Sequence, residues 1–155
     1  MEIERKFVLD AKPDGLGPGD RIEQGYVALD PAGAEVRLRR KGGKHILTVK
    51  SGAGLVRGEE EISVAAEDFE RLWPLTEGRR VNKTRHLVEL GDDLTAEVDV
   101  YDAPLDGLLT AEIEFADESA ARAFVAPEWL GRDVTGDKRY ANQALAVSGS
   151  APSDG

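Results

Sequence analysis

The sequence contains no cysteine and only two histidines in 155 residues. Without cysteine the chain has no disulfide bond, no thiolate metal ligand and no thiol nucleophile. The two histidines, His45 and His86, are too few for an HExxH helix or a histidine-rich zinc cluster. We interpret both as ordinary strand or turn residues. These absences exclude thiol enzymes, disulfide-stapled domains and the common zinc-hydrolase motif.

Long apolar segments are also missing, because no stretch is long enough to cross a bilayer and none near Met1 resembles a signal peptide. We therefore expect a cytoplasmic protein without membrane contact. GxGxxG, GxxxxGK[ST] and GxSxG do not occur, which excludes the standard nucleotide loops and the nucleophile elbow. The formal net charge of -10 argues against general nucleic-acid binding, since a phosphate backbone would be repelled. An anionic ligand remains compatible with this charge if basic residues are gathered locally.

Alternating polar and apolar residues predict about eight strands joined mostly by short turns. The predicted strands cover residues 2–9, 21–29, 35–41, 44–50, 57–64, 79–90, 94–101 and 108–116. Gly42 and Gly43 predict a two-residue hairpin turn. Three helices are expected at 65–75, at 117–127 with Asp117 or Ser119 as its cap, and at about 138–146. We expect one antiparallel α+β domain over residues 1–147, as an open sheet or a closed barrel, and a disordered tail at 148–155.

Six of these strands carry two charges of the same sign at positions i and i+2, which places both side chains on one face. The acidic pairs are Glu2 and Glu4, Glu59 and Glu61, Glu97 and Asp99, and Glu112 and Glu114; the basic pairs are Arg37 and Arg39, and Lys83 and Arg85. Neighbouring like charges on a sheet are unfavourable, so a compensating ligand is expected. Mg²⁺ and Mn²⁺ prefer carboxylate oxygens, and arginine and lysine bind phosphate oxygens. The pattern predicts a metal–polyphosphate site, with a solvent-facing charged sheet as the alternative.

The first strand, "EIERK" at residues 2–6, resembles the ExExK signature of the CYTH superfamily, the triphosphate tunnel metalloenzymes. The resemblance continues in order through "VRLR", "TVK", "EEEIS", "KTR", "EVD", "EIE" and "VTGDKRYAN", and covers residues 2 to about 145. It is strongest to the short bacterial members. It implies an eight-stranded antiparallel closed β-barrel in which charged side chains point into a solvated tunnel, while Ile3 and Phe7 pack outward against helices.

The resemblance also implies a role for each charged position. Glu2, Glu4, Glu112 and Glu114 would bind metal; Glu97 and Asp99 are further metal candidates, and Glu59 and Glu61 would place water or hold a second ion. Lys6, Arg37, Arg39, Lys50, Lys83 and Arg85 would bind the triphosphate, with Arg57 and Lys138 as additional phosphate contacts. Tyr26 would act with Lys6 in proton transfer, or would be a core or wall tyrosine instead. If the strand at 57–64 slips by one residue, Glu60 replaces the pair Glu59 and Glu61.

The activity expected from this resemblance is hydrolysis of inorganic triphosphate to diphosphate and phosphate, with slower nucleoside triphosphatase activity. It implies Mg²⁺ or Mn²⁺, with two ions expected, and a monomer or homodimer that binds neither nucleic acid nor membranes. Two alternatives remain open at this point. The protein could be an adenylyl cyclase of the class IV type, or a polyphosphate- or nucleotide-binding module without turnover.

Overall fold

In the described part of the chain, a nine-stranded antiparallel sheet forms the body of the protein. The computed structural model describes residues 3–51 and 58–153. The strands are β1 (Ile3–Val8), β2 (Asp20–Leu29), β3 (Glu35–Lys41), β4 (Lys44–Ser51), β5 (Gly58–Ser63), β6 (Arg80–Gly91), β7 (Leu94–Tyr101), β8 (Leu109–Phe115) and β9 (Arg132–Asp133). Eight were predicted, and the ninth is a two-residue strand with no sequence pattern long enough to reveal it.

The strands are ordered β5-β4-β3-β2-β6-β7-β8-β1-β9. Each strand pairs antiparallel with its neighbours, so the predicted antiparallel α+β class is confirmed. The predicted closure is not confirmed, because among residues 3–51 and 58–153 no hydrogen-bonded ladder joins β5 to β1 or β9. Residues of β5 and β1 nevertheless line one cavity. The sheet is therefore strongly curled, which is the shape that accumulated strand twist favours.

Three α-helices among the described residues pack against the sheet. They are α1 (Ala66–Leu72), α2 (Glu118–Ala123) and α3 (Asn142–Ser148). Three-residue and four-residue 3-10 turns occupy Trp73–Thr76, Glu128–Leu130 and Lys138–Tyr140. Each predicted helix exists but is shorter than expected. Part of the range predicted for α1 and for α3 forms a 3-10 turn instead. No helix in the described part of the chain is long and apolar enough to span a membrane.

Two local sequence signals are confirmed. The turn between β3 and β4 consists of Gly42 and Gly43, and Gly42 has a φ of 59°, which suits glycine. Asp117 caps α2, because its Oδ1 accepts a hydrogen bond of 2.7 Å from the Ala120 amide. Both signals are local chemistry, and tertiary packing did not override them.

The apolar side chains of alternate positions form the core between the sheet and the helices. Phe7, Val98 and Ile113 are buried on the outer face of β1, β7 and β8, together with Leu130, and Phe124 at the end of α2 packs against them. The expected outward packing of Phe7 is thus confirmed. A second cluster, which includes Tyr101, Leu145 and Tyr140, packs α3 and the preceding turn against the sheet. Lys6 and the acidic residues of the same strands are left on the inner face.

Candidate active site

A cavity of about 630 Å³ lies inside the curled sheet and is lined almost entirely by polar and charged side chains. The sequence-predicted residues on its lining are Glu4, Lys6, Tyr26, Arg37, Arg39, Lys50, Glu59, Glu61, Arg85, Glu97, Glu112, Glu114 and Lys138. They come from all eight long strands and from the turn that precedes α3. The structure therefore gathers into one place residues that are spread over most of the chain.

Four predicted residues are not on this lining. Glu2 and Arg57 lie outside the described residues. Lys83 and Asp99 are described, but they are buried beneath the cavity wall, with 0% and 1% of their surfaces exposed. The register question on β5 is answered by its pairing: Glu59 lies opposite Lys50 and shares the cavity face with Glu61, whereas Glu60 lies opposite Val49 on the other face.

The basic wall of the cavity is formed by β3 and β4. The Nε of Arg37 is buried and has no hydrogen-bond partner among the described residues, and its guanidinium lies 3.8 Å from Glu61. Within the described ranges no carboxylate lies within 4 Å of the Arg39 guanidinium, and its pKa is lowered by burial and then by the charges of Arg37 and Arg85. A buried donor without a partner is costly. This wall is therefore prepared to bind an anion.

The acidic wall is formed by β1, β7 and β8. Their register places Glu4 directly opposite Glu114, and Glu97 directly opposite Glu112. Side chains in such pairs start about 5 Å apart, so the carboxylates repel each other unless a cation lies between them. Lys6 partly compensates this charge, because its Nζ is 3.4 Å from Glu112 and donates a 2.6 Å hydrogen bond to the Tyr140 carbonyl.

A buried ion cluster supports the two walls from beneath. Asp99 accepts from Lys83 Nζ at 2.8 Å and from Arg85 Nε and Nη2 at 2.8 and 3.0 Å. Burial lowers the pKa of Lys83 to about 8, against the opposing effect of Asp99. Burial alone would raise the pKa of Asp99, but Lys83 and Arg85 hold it below its ordinary value. Both Asp99 oxygens are occupied, so its carboxylate is committed to holding Lys83 and Arg85.

The side-chain donors of this cavity can be compared with the ligands that divalent metal ions require. In the described part of the chain no three acidic or histidine side chains are close enough to form a finished metal site. The donor chemistry still fits, because Glu4, Glu97, Glu112 and Glu114 present oxygen ligands in two directly opposed pairs. A hard divalent cation would relieve the repulsion within each pair.

Sequence reasoning missed several residues at the cavity. Glu35 and Thr48 continue the face of Arg37 and Lys50, and Glu35 is buried on the lining with 6% exposure. The parity of β3 could have revealed Glu35. Gln24 is fully buried beside Tyr26, and Asn142 accepts hydrogen bonds from Tyr101 at 2.7 Å and from Lys83 at 3.4 Å. A neutral amide gives no charge pattern, so no signal in the sequence pointed to these two.

Tyr26 lies on β2 with 2% of its surface exposed, and contributes both to the cavity lining and to the apolar core. Burial raises its pKa, in spite of the nearby positive charge of Arg37. The hydroxyl is therefore protonated at neutral pH. It is suited to donate a hydrogen bond or a proton rather than to act as a base.

Comparison with known proteins gives relatives that extend over nearly the whole chain. A curated protein of Nitrosomonas europaea named inorganic triphosphatase is 47% identical over 147 residues, which is 95% of this chain and 97% of the relative. An inorganic triphosphatase of Acetivibrio thermocellus is 38% identical over 147 residues, covering 93% of this chain and 92% of the relative. No family model matches the chain.

Solved structures give the same picture. A crystal structure of an inorganic triphosphatase is 44% identical, has a TM-score of 0.80 and covers 95% of both chains. A Hippeastrum protein described as having a dominant triphosphatase activity is only 15% identical, with a TM-score of 0.55 over 79% of this chain and 83% of its own. That second likeness concerns the fold alone.

Proposed function

This chain belongs to the inorganic triphosphatases, the short bacterial members of the CYTH superfamily, and we propose that it hydrolyses inorganic triphosphate to diphosphate and phosphate. The observation that carries the proposal is the opposition of two walls in one cavity. Arg37 and Arg39 present donors that no described carboxylate neutralises fully, and the acids of β1, β7 and β8 face the same space. A polyanion that carries a cation is complementary to both walls.

We assign the metal to Glu4, Glu97, Glu112 and Glu114, with Glu2 as a further ligand expected from the family resemblance. A bound Mg²⁺ or Mn²⁺ would neutralise phosphate oxygens and polarise the phosphoryl group that is attacked. Asp99 is left out of this set because it holds Lys83 and Arg85.

The basic residues would hold the triphosphate in line for attack. In our proposal Arg37, Arg39, Lys50 and Lys6 bind its non-bridging oxygens, and Arg85 contributes from the cavity floor. Lys83 would act through Arg85 and Asp99, and Lys138 would add a phosphate contact. Arg57 remains a further phosphate contact expected from the family resemblance. Charge developing on the transferred phosphoryl oxygens would be stabilised by groups already fixed in place.

The chemical step needs a water, an acceptor for its proton and a stabilised leaving group. The water oxygen forms a bond to the terminal phosphorus while the bond from that phosphorus to the bridging oxygen breaks. Glu59 or Glu61 is positioned on the cavity to take the proton from the water. The leaving diphosphate oxygen carries the released electron pair, and Tyr26 and Lys6 are the candidate proton donors to it.

We also propose that the curled sheet encloses the substrate as a tunnel. The support is that β5 and β1, which lie near opposite ends of the strand order, both contribute side chains to one cavity. A substrate with several negative charges would then be held by most of the sheet at once. Enclosure of this kind excludes bulk water and strengthens each charge contact.

The test is a substrate panel with the purified protein in Mg²⁺ and in Mn²⁺. We expect triphosphate to give phosphate and diphosphate with a higher kcat/KM than ATP, and diphosphate to be a poor substrate. Cyclic AMP as the main product from ATP would assign the cyclase function instead, and binding of triphosphate without turnover would assign a binding module.

A matched pair of variants on β5 connects this activity to the cavity. Glu61→Gln removes a carboxylate from the lining, whereas Glu60→Gln changes the neighbouring residue on the opposite face. We expect Glu61→Gln to lower kcat by at least about tenfold and Glu60→Gln to leave it within about twofold. Equal effects of the two variants would contradict a catalytic role for this face.

A further inference from the structure

Gln24 is a fully buried amide between two residues of the site. It lies on β2, two positions before Tyr26, and opposite Arg39 in the β2–β3 ladder. Its Nε2 is 2.8 Å from the Tyr26 hydroxyl, and its Oε1 is 2.6 Å from the Nε of Arg39. Both contacts are within hydrogen-bond distance, and the one to Arg39 is short, so both polar ends of the amide are used.

The chemistry of Arg39 fixes which way round the amide lies. A guanidinium has only donors, so the atom that faces Arg39 Nε must be the amide oxygen. A flipped amide would place an N–H group against that donor and leave both unpaired. The NH2 group of Gln24 therefore faces Tyr26, and it can only donate.

This orientation determines what the Tyr26 hydroxyl does. Because its oxygen accepts from Gln24, its own hydrogen must point to a different partner. Among residues 3–51 and 58–153, no acceptor for that hydrogen is observed, and Tyr26 lies on the cavity lining. The hydrogen is thus free to be donated to whatever occupies the cavity.

We propose that Gln24 is a positioning residue, which links Arg39 to Tyr26 and directs the Tyr26 hydroxyl hydrogen into the cavity, toward an anionic oxygen of the substrate. The proposal rests on the proposed triphosphatase function. Arg39 and Tyr26 would then act as one rigid unit, in which a guanidinium and a hydroxyl are presented to the same polyphosphate at a fixed separation. Such preorganisation lowers the barrier because little rearrangement is needed during the reaction.

A purely structural role for Gln24 is the alternative. A buried amide with two satisfied hydrogen bonds stabilises β2 and β3 whether or not Tyr26 acts on substrate. The two possibilities differ in what happens when Tyr26 is absent. A positioning residue loses its effect on turnover in that case, whereas a structural residue keeps it.

The experiment is a double-mutant cycle on kcat and KM with inorganic triphosphate. Gln24→Glu keeps an oxygen toward Arg39 but offers a carboxylate to Tyr26, so the hydroxyl turns its hydrogen away from the cavity. We expect kcat to fall by roughly tenfold with KM within about threefold. In the Tyr26→Phe background the same change should alter kcat by less than about twofold. Equal losses in both backgrounds would overturn the proposal.

A second variant and a readout that needs no activity keep the test independent of turnover. Gln24→Met removes both polar groups at similar size and adds no charge. The hydrogen bond from Gln24 stabilises the Tyr26 phenolate, so its loss in Gln24→Met should move the ionisation of Tyr26 to higher pH. The ionisation is followed by ultraviolet absorbance without substrate, and the signal of the other tyrosines is subtracted with Tyr26→Phe. Glu23→Gln, next along the chain but paired with Arg40, should leave the ionisation unchanged.

An unchanged Tyr26 ionisation in Gln24→Met would also overturn the proposal. Failure of the proposed function would be a separate result. If the wild-type protein had no triphosphatase activity, the assignment of the substrate would be wrong, but the shift in Tyr26 ionisation would still be observed. If the wild-type protein were active but Gln24 and Tyr26 showed no coupling in the double-mutant cycle, only the proposed role of Gln24 would be wrong.

Discussion

At the scale of single residues, the same side chain type has different roles according to its partners. Arg85 is held by Asp99 through two hydrogen bonds, whereas the buried Nε of Arg37 has no partner within residues 3–51 and 58–153. Both are inward-facing arginines on neighbouring parts of one sheet. The unsatisfied Nε of Arg37 should gain the most binding free energy from a phosphate oxygen, because the cost of removing it from water is already present in the folded protein.

Arg39 lies beside Arg37 on the basic wall and tests the role of that wall. Arg39→Ala should reduce kcat/KM for triphosphate by a factor that corresponds to about 2–4 kcal/mol, since a charge-assisted contact to the transition state is lost. Arg40→Ala is the matched control: Arg40 points to the outer face, where it pairs with Glu23 and Glu70 and covers the Phe69 ring. It should lower the melting temperature but keep kcat/KM. Comparable kinetic losses in both variants would contradict the assignment.

Glu114 tests the acidic wall. It lies opposite Glu4, so Glu114→Gln should relieve repulsion and leave the metal-free protein as stable as wild type or more stable, by up to about 0.5 kcal/mol. Added Mg²⁺ should then stabilise the variant less than the wild type, because stabilisation by a ligand follows its affinity. Thermal melts with and without Mg²⁺ measure both effects, with Glu60→Gln as control. A variant that melts lower without metal yet responds normally to Mg²⁺ would make Glu114 a structural residue.

At the scale of elements, the alternating side chains of β1 place site residues on one face of the strand and a structural residue on the other. Glu4 and Lys6 line the cavity, while Arg5 lies on the outer face. The Arg5 guanidinium donates to the Ala121 and Phe124 carbonyls at 3.0 and 2.9 Å, which satisfies the C-terminal end of α2, and it pairs with Asp133 of β9 at 2.9 Å. One residue therefore attaches two elements to β1.

The Arg5–Asp133 pair predicts a dependence of stability on acid. Burial alone would raise the pKa of Asp133, but hydrogen bonds from Thr135 and Arg5 hold it below its ordinary value of 3.8. The folded state thus favours the carboxylate, so this stabilisation is complete above pH 3.8 and is lost as pH falls through the lower folded pKa. Melts of wild type and Asp133→Asn at decreasing pH should converge in acid. A constant difference at every pH would contradict this origin.

The elements also indicate how far sequence reasoning extends. Strand positions, the Gly42–Gly43 turn and the Asp117 cap were predictable because alternation and turn chemistry act locally. Closure of the sheet was expected from the family resemblance and is not confirmed in the described residues. Strand β9 was not predicted, since two residues carry no period. Sequence patterns give strands, but the pairing of the sheet edges depends on long-range geometry.

The site was predictable to a similar degree. Parity identified the inward face of most strands, because a side chain alternates faces whatever its surroundings. On β5 it left Glu60 open as the alternative to Glu59 and Glu61, and only the strand pairing decided between them. Parity does not give depth, so Lys83 and Asp99 were expected on the lining but lie beneath it. Gln24 carries no charge, and it could be recognised only from its two contacts.

At the scale of the whole molecule, charge is distributed along the strand order. Basic residues concentrate on β3 and β4, and the opposed acid pairs lie on β1, β7 and β8. The net charge of -10 would repel a free triphosphate at long range. The basic wall is therefore a local exception, and a triphosphate that already carries a cation would approach with less repulsion.

Removal of divalent metal tests this arrangement for the molecule as a whole. We expect EDTA to abolish phosphate release from triphosphate and added Mg²⁺ or Mn²⁺ to restore it, because substrate and carboxylates otherwise repel each other. The melting temperature should rise when the metal is returned. Sodium chloride at equal ionic strength is the control and should not restore activity. Full activity in EDTA would contradict a metal-dependent mechanism.

The alternation along β1 has a consequence for how this protein can vary. A substitution at Ile3 or Phe7 changes one contact, but a deletion of a single residue within Ile3–Val8 exchanges the two faces of the strand. Arg5 would then point into the cavity, and carboxylates would meet the carbonyls that end α2. Libraries of variants should therefore reject every insertion or deletion of one residue in this strand, including beside Ile3, where a conservative replacement is accepted. At such positions the length of the strand is under stricter selection than its composition.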